Sequence, residues 1–73
     1  MDGEIKFGIV ESFDAHRGLG LIDSDGEKYL FHCAEISDGT RNIAVTTPVS
    51  FIAVQRFGIR EASVVTAQVA GNP

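Results

Sequence analysis

The sequence has no tryptophan and only one cysteine, Cys33. A lone thiol excludes an internal disulfide and a four-thiolate zinc site, and it fits a reducing cytoplasm, the compartment we expect. Long apolar runs are missing too. Nothing approaches the length of a membrane-crossing helix and no charged-then-apolar leader opens the chain, so no membrane partner is expected. Positive charge is scarce, with six Lys and Arg against ten Asp and Glu and a net charge of −4. That balance argues against a general polyanion binder. The deficit is uneven. Residues 1–38 hold nine acids and three bases (Lys6, Arg17, Lys28), a net −6, whereas residues 39–73 hold Arg41, Arg56 and Arg60 against Glu61, a net +2. A basic edge is allowed, but a broad basic face is not. No phosphate loop, nucleophile motif or paired-carboxylate signature occurs, so neither an enzyme nor a cofactor is expected. Cys33 follows His32, but neighbours in a strand point to opposite faces and His16 is the only other histidine, so no metal site is expected.

What is present organises itself around two short stretches. Arg17-Gly18-Leu19-Gly20-Leu21-Ile22-Asp23 and Tyr29-Leu30-Phe31-His32 both read as strands, with Asp25-Gly26 between them as a two-residue hairpin signal. Alternation puts Leu19, Leu21, Leu30 and His32 on one face and Ile22, Tyr29 and Phe31 on the other. We assign the second set to the core, where the Tyr29 hydroxyl needs a partner. The first set is an apolar platform carrying a histidine, and three leucines facing solvent invite a partner.

Seventy-three residues with 44% apolar content make one domain, 1–73, with its core over about 5–68. A first strand is expected over 5–13, where Ile5, Phe7 and Ile9 alternate before the phase shifts at Val10; Gly8 is the expected site of a bulge. Residues 14–18 form a turn in which Gly18 is free to take a positive φ. Residues 33–36 suit one helical turn, 37–42 are loop by composition, and 43–47 are ambiguous. Pro48 marks the earliest start of a fourth strand, with Val49, Phe51 and Ala53 on one face. Residues 56–60 read as a turn, 61–68 as a β-branched fifth strand and 71–73 as a tail. Five short strands split three and two by a longer loop predict an all-β fold, a five-stranded antiparallel OB-type barrel, because closure removes the exposed edges of a small sheet.

At these residues the chain resembles the bacterial cold-shock domain family. The family opens with Gly-x-Val-x-x-Phe, then a basic residue and Gly-aromatic-Gly-aromatic-Ile. Here the matching residues are Gly8-Ile9-Val10-Glu11-Ser12-Phe13 and Arg17-Gly18-Leu19-Gly20-Leu21-Ile22. Its second motif, apolar-Phe-Val-His-Phe then Ser-Ala-Ile, corresponds to Tyr29 through Ile36, and Gly58 with Ala62-Ser63-Val64 lies where the family has Gly-Pro-x-Ala-Ala-x-Val. The likeness runs from about residue 7 to residue 68. It implies a non-catalytic protein that binds single-stranded RNA or DNA by stacking bases on exposed rings beside a few basic side chains.

The rings themselves are mostly replaced. The family's exposed tryptophan falls on Ser12 and its basic neighbour on Glu11; the glycine-flanked aromatics fall on Leu19 and Leu21, and two stacking phenylalanines on Leu30 and Cys33. Base–aromatic stacking is worth roughly 1–3 kcal/mol per base. A loss of about 4 kcal/mol would weaken binding on the order of a thousandfold. The resemblance therefore implies weak binding, with bases over Phe13, Leu19, Leu21, Leu30 and His32 and phosphates near Arg17, Lys28, Arg56 and Arg60. Arg56 and Arg60 with Phe57 make a substitute aromatic–basic site at the barrel rim. The alternative is a protein-interaction or self-association module that uses the leucine face, which the acidic charge favours. A third reading is an OB domain that binds structured RNA.

Overall fold

Alternating apolar residues and tight turns produce five strands, described in a computed structural model over residues 3–39 and 42–68. They are β1 (Glu4–Asp14), β2 (Leu19–Ser24), β3 (Glu27–His32), β4 (Pro48–Arg56) and β5 (Ile59–Ala67), with one 3-10 turn at Cys33–Glu35. The strands close in the order β1-β2-β3-β5-β4, an OB-like barrel. β1 is long enough to serve two neighbours: its first half pairs with β4 (Ile5 with Ile52, Ile9 with Pro48) and its second half with β2 (Val10 with Ile22, Asp14 with Leu19). All pairings are antiparallel except β3 with β5, which meet in parallel at Leu30 and Glu61, with a further bridge from Ile36 to Val65. No helix among the described residues is long and apolar enough to cross a membrane.

The turns follow their residues. Asp25-Gly26 and Phe57-Gly58 join their strands in two residues, and all four have positive φ (55°, 82°, 51° and 78°), the pattern of a type I′ hairpin. Asp14 closes the β1–β2 turn by accepting from the backbone N–H of His16 and Arg17, and Gly18 adopts φ +71°. The expected turn over 56–60 shrinks to Phe57-Gly58. Arg56 lies in β4 and Ile59 and Arg60 in β5, because the two-residue turn lets the ladder run on to the Arg56–Ile59 pair. Residues 43–47 are not strand; the chain there makes a turn at Val45-Thr46, bonded to β1 through Thr46 N–H to Val10 O and Val10 N–H to Thr47 O. The loop expected over 37–42 lies partly, and the tail over 71–73 wholly, outside the described residues.

The core is Val10, Ile22, Tyr29, Phe31, Ile36, Val49, Phe51, Ala62 and Val65. Tyr29 packs on Phe51, with ring centroids 5.0 Å apart, and its hydroxyl donates to Glu27 Oε1 at 3.2 Å. Phe13 stacks on Phe31 at 5.8 Å, and this requires Gly20: a β-carbon there would lie 2.5 Å from the Phe31 ring. The β1 bulge falls between Val10 and Ser12 rather than at Gly8. Gly8 instead allows close approach, since a β-carbon would lie 2.6 Å from the Asp23 carbonyl oxygen. Before the bulge β1 turns Val10 inward, so Ile5, Phe7 and Ile9 are exposed on the outer face.

Candidate nucleic-acid interface

Leu19 faces His32 and Leu21 faces Leu30 across the β2–β3 ladder, so the four share one outer face as their alternation requires. The leucines are half-buried and His32 is exposed. Barrel closure limits their exposure. Because β3 and β5 meet at a single ladder pair, the seam between them stays open as a groove of about 260 Å³. Leu19, Leu30 and His32 form one side of it; Val54, Arg56 and Glu61 belong to the β4–β5 side.

His32 ends β3 and caps the 3-10 turn, its Nδ1 accepting from the Ala34 N–H at 3.1 Å. With Nδ1 occupied as an acceptor, the neutral ring carries its proton on Nε2, which becomes a donor. Cys33 Sγ lies 3.9 Å from the same Nδ1, because Cys33 begins the 3-10 turn and leaves the strand alternation. Its N–H donates to Gly18 O at 2.8 Å, which ties the β1–β2 turn carrying Arg17 to this end of the groove. Among the described residues no cluster of His, Cys, Asp and Glu is placed to hold a metal ion.

The remaining candidates are dispersed. Phe13 is half-buried and belongs mainly to the core through Phe31. Lys28 is engaged by two carboxylates, Glu11 at 2.6 Å and Asp23 at 3.5 Å. The hydrogen bond to Glu11 holds its ammonium above the usual lysine pKa. Arg56 pairs with Glu61 at 3.6 Å and Arg60 with Glu27 at 3.5 Å. Phe57 is fully exposed at the hairpin tip and does not line the groove. The structure thus brings Leu19, Leu30, His32 and Arg56 together, with Leu21 beside Leu30, while three of the four basic candidates already face carboxylates.

Glu35 is the residue that sequence reasoning missed. It lines the groove, and its Oε1 accepts from Ser63 Oγ at 2.9 Å and from the Val64 N–H at 3.1 Å. The Val64 backbone hydrogen bond, then the Ser63 hydroxyl, hold its pKa below the usual carboxylate range. No local pattern announces this, because the partners lie 28 and 29 residues away. Val64 itself has φ +51°, which a β-branched residue rarely adopts. It lies where the β4–β5 register slips between Ser50 and Ile52.

The groove therefore offers an apolar floor, an imidazole N–H donor, two carboxylate acceptors in Glu35 and Glu61, and one guanidinium. The sequence matches no protein-family model and no curated protein.

Proposed function

We propose that this protein is a non-catalytic, weak binder of single-stranded nucleic acid, a divergent relative of the cold-shock domain, and that the β3–β5 groove takes an unstacked base. The observation that carries this reading is the content of the groove. Leu19 and Leu30 give apolar area to a base face, His32 Nε2–H can donate to a carbonyl or ring nitrogen, and the Glu35 and Glu61 carboxylates can accept from exocyclic amino groups. The same carboxylates repel phosphate, so the backbone runs outside the groove toward Arg17, which forms no ion pair among the described residues. One or two phosphate contacts imply a shallow salt dependence, with a log–log slope of about −0.7 to −1.4 for single strands. Charge complementarity is poor elsewhere on this acidic chain, which supports weak affinity.

The test is an amide chemical-shift titration with short pyrimidine DNA and RNA at two salt concentrations. Shifts clustered at residues 17–22 and 30–35 and across the groove at 54–63, with that shallow salt slope, are expected. Tight binding with a steep slope would refute the proposed contact set. No shifts at millimolar oligonucleotide would refute the function.

A further inference from the structure

A second pair of surfaces lies outside the groove. The β4–β5 hairpin ends in Phe57, 101% exposed and at φ +51°. A type I′ turn favours Asn or Asp at that position, as the β2–β3 turn shows with Asp25. Phe57 therefore combines backbone strain with an apolar side chain left wholly in water, and strain retained in this way is a mark of function. The hairpin is basic in what it presents. Arg56 meets Glu61 through Nη1 and Arg60 meets Glu27 through Nε, which leaves most of their donors unused.

The complementary surface lies near the other end of β4, where the β1 bulge meets the Val45-Thr46 turn. An open apolar groove of about 460 Å³ is bounded there by Ile9 and Val45, both 49% exposed, and rimmed by Glu11, Asp23 and Asp25. Lys28 neutralises part of the rim through Glu11 and Asp23, while Asp25 forms no ion pair among the described residues. Along β4, Pro48 and Arg56 are separated by roughly 26 Å of extended strand. Phe57 is wholly exposed, so the hairpin does not fill its own groove.

We propose that the two surfaces join copies of this chain head to tail, with Phe57 of one molecule seated in the Ile9–Val45 groove of the next and Arg56 and Arg60 facing its acidic rim. The contact is heterologous, so it does not close at two molecules and successive copies add in one direction. One hairpin tip is small against the 1,200 Å² or more of a stable interface, so the association is weak and strengthens at low salt.

Sedimentation velocity of the full chain, from micromolar to about millimolar concentration at two salt concentrations, tests this. The average mass should rise past a dimer without a plateau, and less so at high salt. Phe57→Asn, which suits the turn, and Ile9→Ser, at an exposed position, should each give a monomer with an unchanged circular dichroism spectrum. Mixed together they should form a capped 1:1 dimer, because each retains the surface that the other lacks. A monomeric parent protein, a mass that stops at a dimer, association unaffected by Phe57→Asn, or no dimer in the mixture would overturn the proposal. So would a monomer whose oligonucleotide affinity collapses on Phe57→Asn, since the ring would then serve bases.

Discussion

Replacing Glu35 tests how the groove is held open. Its carboxylate joins the 3-10 turn after β3 to β5 by accepting from Ser63 Oγ and the Val64 N–H. Hydrogen bonds to a charged group contribute about 1.5–3 kcal/mol each when buried and less when water can replace them. Glu35 is only half-buried, so we expect Glu35→Ala to destabilise the fold by about 2 kcal/mol, which in a domain of this size lowers Tm by roughly 8–16 °C. Glu35→Gln keeps an acceptor without the charge and should lose about half as much. The pH dependence has a definite sign. The folded pKa of Glu35 lies below the unfolded reference of 4.5, so its stabilisation is fully present above that value and is lost as pH falls through the folded pKa. Urea unfolding of parent and Glu35→Gln from neutral pH into the acid range should show the two curves converging. A Glu35→Ala variant within about 0.5 kcal/mol of the parent at neutral pH would refute the account, as would a parent–Gln difference unchanged in acid.

Four further outcomes follow from the same geometry. Val64→Gly and Thr46→Gly each relieve a positive φ (51° and 75°) at a β-branched residue and should stabilise by about 1 kcal/mol in thermal or urea unfolding. Gly20→Ala forces a β-carbon to 2.5 Å from the Phe31 ring and should destabilise by about 1–3 kcal/mol, with loss of the Phe13–Phe31 stack visible as altered ring proton shifts. His32→Ala removes the acceptor for Ala34 N–H and should lower stability by about 1 kcal/mol while reducing oligonucleotide shifts in the groove. Leu30→Phe supplies a stacking ring on the half-buried face and should raise single-strand affinity by roughly tenfold, read by the same amide titration.

The sequence by itself determined the strands and their inward faces. Val49, Phe51, Ile22, Tyr29 and Phe31 alternate at period two with their turns in register, and all five are among the residues that the barrel buries. Asp25-Gly26 and Gly18 were legible for the same local reason, since their conformations depend on their own backbone chemistry. Along β1 the phase shift at Val10 was legible, and the bulge falls there between Val10 and Ser12, but which side of the strand faces inward was not, and Ile5, Phe7 and Ile9 lie in solvent. The leucine face was legible as a face, but not how deeply it would be shielded, which depends on closure of β3 against β5. Only the tertiary structure decided which charges are already occupied. Lys28 with Glu11, Arg56 with Glu61 and Arg60 with Glu27 are pairings fixed by strand register, as is the reach of Glu35 to Val64. Periodicity constrains a side chain's direction, whereas the partner it meets is fixed by how distant strands are brought together.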